Sequence, residues 1–240
     1  MFGRILTILF IASPLFGQVT TDTLAYDTFT DTNGVLLQNH TMNIGSGWTK
    51  LDDADLRIYS NRAEVYAGDG HRELDDYYYF VVDTTGGYYY QIKFTFKSAY
   101  GNGEDFGAVL RANSSKESYL VIAEVGPDNF FRIKKRLTPS SSTVLASYSY
   151  TYSTSITYRI EAEARQDTLT GRLYDNDADT LIAELETTDS SYSGDRVGLS
   201  VTGGNFIGEY ADDFVIVDMI SPLATALSVR RRGLLRTIKQ

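Results

Sequence analysis

Cysteine is absent from the 240 residues, which removes disulfides, thiolate nucleophiles and thiolate metal ligands together. Only two histidines are present, His40 and His71, so a His-rich zinc site has no material, and neither stands in a spacing that suggests a Ser-His-Asp triad. A loop histidine of this kind reads as polar surface. Phosphate-binding glycine loops are missing as well, because Gly101-Asn102-Gly103 and Gly203-Gly204-Asn205 are isolated turn signals. Basic residues are in deficit, 22 against 31 acidic, and the formal charge of -9 argues against nucleic acid as a partner. Proline is scarce, at 4, and no segment between the termini combines 3.6-residue apolar spacing with helix caps.

What the chain has is aromatic and glycine-rich β material: Tyr 18, Phe 12 and Gly 20. Between Gln18 and Asp218 apolar and polar residues alternate with period two, interrupted by Gly, Asn, Asp and Ser clusters. Tyr88 to Lys97 shows it plainly. Tyr88, Tyr90, Ile92, Phe94 and Phe96 fall on one face, and Tyr89, Gln91, Lys93, Thr95 and Lys97 on the other. In Thr157 to Arg165, Tyr158, Ile160, Ala162 and Ala164 read as inward and Arg159, Glu161, Glu163 and Arg165 as outward. Further strands are expected at Ala108–Arg111, Ser118–Val125, Phe130–Arg136, Val144–Tyr150, Leu169–Tyr174, Leu181–Leu185, Val197–Val201 and Asp213–Val217. The run Tyr77–Val82 reads as the hairpin partner of the Tyr88 strand through Asp83-Thr84-Thr85-Gly86-Gly87. About a dozen short strands without an internal repeat predict an all-β fold, a single two-sheet antiparallel jelly-roll sandwich.

The ends divide the chain into three. Residues 1–17 read as a secretory signal peptide, with Arg4, an apolar stretch Ile5–Ile11 and a small residue at Gly17. Residues 18–220 form the β-sandwich. Residues 221–240 form a basic tail holding Arg230, Arg231, Arg232, Arg236 and Lys239 and no acid. The tail reads either as a short amphipathic helix that contacts an anionic surface or as a solvated terminus. Export to the extracellular space or cell surface is the expected destination, with display on a virion as the alternative.

Three stretches together resemble the concanavalin A-like lectin/glucanase superfamily in its laminin G-like jelly-roll branch. They are Asp27-Thr28-Phe29-Thr30-Asp31 followed by Gly47-Trp48-Thr49; Tyr158-Arg159-Ile160-Glu161-Ala162 with the strand Leu169–Tyr174; and Gly194-Asp195-Arg196-Val197-Gly198-Leu199 with Tyr210-Ala211-Asp212-Asp213-Phe214. The resemblance covers roughly residues 25 to 218 and implies that the first and last strands lie side by side. It also implies carbohydrate binding and, in many members, structural Ca²⁺.

Catalysis of the glucanase kind needs a Glu-x-Asp-x-x-Glu strand. Glu73-Leu74-Asp75-Asp76-Tyr77-Tyr78 matches its first two positions and has Tyr at the third, so no catalytic residue is assigned. For Ca²⁺ the candidates are Asp175, Asp177 and Asp179, alternate carboxylates with Glu186 in the closing position, although an Asp/Asn-rich hairpin turn explains the same residues. Asp27 and Asp213 are second candidates. The rings assigned to carbohydrate are Tyr78, Tyr89 and Trp48. Trp48 also reads as an inward anchor together with Phe29 and Phe214. The tyrosine-rich strands, including Tyr148, Tyr150 and Tyr152, read as a contact surface or as cross-strand pairs that stabilise a sheet. Three readings of the whole follow: a non-catalytic lectin-like module; a structural component of a virion or cell surface built on the same fold; and, third, a glycoside hydrolase, which needs a second carboxylate facing Glu73 or Asp75 from another strand.

Overall fold

A computed structural model describes residues 21–51, 56–65, 77–83, 89–99, 103–126, 129–138, 141–202 and 210–219, all within one compact unit, Thr21–Met219. The expected signal peptide, the basic tail, His71, Glu73–Asp76, the Thr84–Gly87 turn and the Gly203–Asn205 turn lie outside the described residues.

In chain order the strands are β1 (Thr21–Asp27), β2 (Thr49–Lys50), β3 (Leu56–Ile58), β4 (Ala63–Val65), β5 (Tyr77–Asp83), β6 (Tyr89–Lys97), β7 (Glu104–Ala112) and β8 (Ser118–Val125). They continue with β9 (Phe130–Thr138), β10 (Ser141–Ser149), β11 (Tyr158–Arg165), β12 (Thr168–Asp175), β13 (Thr180–Thr188), β14 (Arg196–Thr202) and β15 (Tyr210–Met219). One sheet has the order β13-β12-β11-β6-β15-β4-β3, with β1 also paired to β15. The other has the order β10-β9-β8-β7-β14-β5-β2. All pairings are antiparallel, and the expected all-β two-sheet sandwich is the observed fold.

Alternation decides which side chains meet between the sheets. On β6, Tyr90, Ile92, Phe94 and Phe96 are buried, and on β11 so are Tyr158, Ile160, Ala162 and Ala164, as the spacing predicts. From the opposite sheet come Phe106, Ala108 and Leu110 of β7, Val121 and Ala123 of β8, and Phe131 and Ile133 of β9. Phe96 stacks on Phe106 with ring centroids 4.7 Å apart, joining the two layers. Gly171 of β12 sits where a Cβ would stand 2.6 Å from Val121 Cγ1, so the absent side chain makes room for the facing sheet.

Two expectations are corrected. β5 and β6 do not form a hairpin: β5 pairs with β14 and β2 in one sheet, and β6 with β11 and β15 in the other. A glycine-rich connection serves a crossover between layers as well as a hairpin, and sequence alone does not separate them. Of the tyrosines whose side chains are described, most are buried or half-buried, which favours the sheet-stabilising reading over the contact surface. Tyr90 and Tyr152 are buried, Tyr150 and Tyr152 pack edge-to-face on Tyr158, and Tyr148 is the ring among these that stands exposed.

The outer faces of the sheets differ. On the β6–β11–β12 sheet it is a ladder of charge, with Arg172 bound to Glu163 and Glu184, and Arg159 and Lys93 on Glu161. On the β7–β8–β9 sheet it has an apolar floor, where Val81, Val109, Leu120 and Ile122 form a second buried cluster.

Candidate functional site

β1 enters beside β15, with Asp27 opposite Phe214, as the resemblance implies. Past the end of β1 the chain turns sharply at Phe29, which has φ 50°. The turn is held by Asp27, a fully buried carboxylate. Its Oδ1 accepts the Phe29 N–H at 2.7 Å and lies 2.9 Å from His40 Nε2, and its Oδ2 accepts the Trp48 Nε1–H at 2.6 Å. His40 Nδ1 lies 2.9 Å from Asp31 Oδ2. Two carboxylate partners ask both ring nitrogens to donate, which only the imidazolium does. Burial opposes that charge, but the hydrogen bonds that the ring donates to Asp31 and Asp27 outweigh it and raise the His40 pKa above its usual 6.5.

This cluster is an anchor, and it corrects three readings. Trp48 is 4% exposed, stacked on Phe29 and tilted against Phe214, so its faces are unavailable to a sugar. His40 is buried rather than surface. Asp27 has its oxygens committed to three protein donors, which leaves no open side for Ca²⁺.

The other sequence candidates are scattered. Asp213 lies exposed at the β15 bulge with φ 52°. In the turn after β12, Asp175 Oδ1 accepts the Ala178 N–H, Asp177 Oδ2 accepts the Thr157 N–H, and Asp179 pairs with Arg159 at 2.8 Å. Glu186 sits well along β13, opposite Thr170, whereas the turn itself closes at the Asp175–Thr180 pair. Six residues of strand separate Thr180 from Glu186, about 20 Å, so the set is not gathered as a calcium loop. Among the described residues no three His, Asp or Glu side chains converge to hold a metal. Tyr89 opens β6 opposite Arg165, half-buried on the charged outer face. Tyr78 lies opposite Val201 in β5, and its side chain is outside the described residues.

A different group of residues does converge. At one end of the β7–β8–β9 outer face is a cavity of about 300 Å³ walled by Gly103, Asp105, Glu124, Val125, Gly126, Asn129, Arg132 and Lys134. Register builds it: Asp105 of β7 lies directly opposite Glu124 of β8, and Glu124 opposite Phe130 of β9. Arg132 and Lys134 follow at alternate positions of β9 and so share that face. Glu124 accepts Arg132 Nη1 at 2.5 Å and also the Lys134 ammonium. The Arg132 guanidinium lies over the Phe130 ring, 3.8 Å from its centroid. Burial, then the charge of Glu124, pushes the Asp105 pKa up to about 7, against the opposing pull of Lys134 and Arg132.

This arrangement offers what hydroxyl-rich ligands use: charged donors and acceptors held rigidly on strands, beside two glycines that leave the mouth open. Sequence reading missed it because Asp105 and Glu124 meet only through strand register. The available signal was Glu124 itself, a lone acid in the apolar run Tyr119–Val125.

No protein-family model matches the sequence, and no curated protein is similar to it in sequence. Solved structures share its fold. The carbohydrate-binding module CBM66 from Bacillus subtilis aligns with a TM-score of 0.50 at 17% identity, over 72% of this chain and 93% of that one. A Lotus tetragonolobus seed lectin aligns with 0.55 at 11% identity, over 84% and 100%. The exoplasmic domain of VIP36, in a form bound to Ca²⁺ and Man3GlcNAc, aligns with 0.50 at 9% identity, over 74% and 86%. At these identities the likeness establishes the fold alone, a two-sheet antiparallel jelly-roll sandwich that these lectins and this carbohydrate-binding module share.

Proposed function

We propose that this chain is an exported, non-catalytic carbohydrate-binding module of the laminin G-like branch, and that it takes glycan at the outer face of the β7–β8–β9 sheet. The observation that carries the reading is the cavity walled by Asp105, Glu124, Asn129, Arg132 and Lys134. The four charged groups there sit on paired strands, so their geometry is set before a ligand arrives and little ordering entropy is lost on binding. The shared fold supports it, since CBM66 and the Lotus lectin are matched over nearly their whole lengths.

Recognition at this cavity runs through hydrogen bonds and ion pairs of the chain's own residues, so binding is expected to survive chelation. The test is a glycan panel with and without EDTA, using the full chain and an Arg132→Gln variant. Saturable binding to one glycan class, weakened at least tenfold by Arg132→Gln and unchanged by EDTA, is the expected result. Binding abolished by EDTA puts the ligand at a calcium centre instead. No binding across the panel favours the assembly reading, for which Val144 and Tyr148, 46% and 44% exposed on the edge strand β10, are the contact residues to test.

A further inference from the structure

The chain is acidic overall, yet β9 brings two cations to one small cavity, and their bonding is incomplete. Arg132 gives Nη1 to Glu124 and Nε to Ser147 Oγ at 3.3 Å, which leaves Nη2 without an acceptor among the described residues. Lys134 gives one ammonium proton to Glu124 and has two more. Their side chains are 21% and 13% exposed, so the free donors face the cavity rather than the bulk surface. One carboxylate, Glu124, therefore serves two cations.

The remaining acid in the wall is Asp105. Glu104, the next residue back on β7, falls on the inner side with Phe106 by the strand's alternation, and no other titratable side chain lines the cavity among the described residues. We propose that this cavity is a subsite for a carboxylate-bearing sugar, a uronic acid residue whose carboxylate bridges Arg132 Nη2 and the Lys134 ammonium. The proposal rests on the carbohydrate-binding reading above. A planar guanidinium beside an ammonium matches a carboxylate better than it matches a neutral hydroxyl, because each bond gains charge assistance. The volume suits one ring, being at the lower end of ligand pockets, which begin at roughly 300 Å³.

Asp105 makes the subsite respond to pH. Its carboxyl is held up to about 7, so below that pH it is neutral and the two cations outnumber Glu124, whereas above it the cavity balances to zero. An anionic sugar thus prefers the protonated state, and binding tightens as pH falls from 8 to 5.5, a range in which the uronate itself stays ionised. The protein's overall -9 charge repels long polyanions, but it is screened beyond about 8 Å at physiological salt.

Calorimetry of the full chain in 0.15 M salt, against oligosaccharides of galacturonate, glucuronate and mannuronate and their methyl esters, tests this. Expected is binding of at least one acid form, tenfold or more weaker as its methyl ester and at least threefold weaker at pH 8 than at pH 5.5. Asp105→Asn should flatten the pH dependence by tightening binding at pH 8, where the wild-type carboxylate opposes the ligand. Arg132→Gln with Lys134→Gln should lose binding, and the ester comparison needs no variant to fold. Equal binding of acid and ester, or binding of neutral glycans alone, overturns the uronate proposal and leaves the carbohydrate reading standing. Absence of binding to these uronides and to every neutral glycan overturns both.

Discussion

Close approach between backbones sets the tightest constraint on single residues. A Cβ built on Gly194 would lie 2.2 Å from the Ala112 carbonyl oxygen, so Gly194→Ala must displace the strand end rather than a side chain. The expected cost is about 3 kcal/mol, read as a drop in the midpoint of chemical denaturation. His40 provides a second prediction. Its folded pKa is raised above 6.5, so the stability it contributes is fully present below pH 6.5 and is lost as pH climbs through the folded value. The difference in Tm between the wild type and His40→Gln should therefore be largest at pH 5.5 and shrink by pH 8.5; a difference that grows with pH would contradict the imidazolium bridge. Asp105 runs in the opposite sense for a substitution. Its raised pKa means that ionising it costs stability between its unfolded value near 4 and about 7. Asp105→Asn should leave Tm unchanged at pH 4 and raise it at pH 8.

Strands divide into those that carry the core and those that border it. β9 inserts Phe131 and Ile133 between the sheets, while its neighbour β10 is open along most of its length. Ile133→Lys should prevent folding or cost more than about 4 kcal/mol, and Val144→Lys on β10 should change stability by no more than about 0.5 kcal/mol. Comparable losses at the two positions, measured by urea denaturation, would contradict the assignment of β10 as a border strand. The elements legible in the sequence were those with unbroken alternation: β6 and β11 were readable to the individual side chain. Ser118–Val125 was bounded correctly because its apolar run ends in turn residues. The short strands β2, β3 and β4 hold two or three residues each and offer no period to read. The Trp48 anchor was half legible, since Gly47-Trp48 stood out, but its partners Asp27 and His40 are joined by a turn at Phe29 that no periodicity announces. The cavity left one sign in the sequence, the lone acid Glu124 in an apolar strand. Its acids belong to different strands and face each other through a pairing that only the sheet order fixes.

At the scale of the molecule, one jelly roll presents two unlike outer faces. The β6–β11–β12 face is closed by its own ion pairs, with Arg172 and Arg159 answering Glu163, Glu184 and Glu161, so its charges are already committed to one another. The β7–β8–β9 face keeps polar groups beside an apolar floor and ends in the cavity, which is why the binding role is placed there. The most direct measurement is affinity electrophoresis of the full chain through gels containing neutral or acidic polysaccharides, with Lys134→Gln and Arg132→Gln run alongside. The account predicts retardation in at least one gel, persisting with EDTA and lost in both variants while their circular dichroism stays that of the wild type. Unretarded migration in every gel, or retardation that both variants keep, would contradict it.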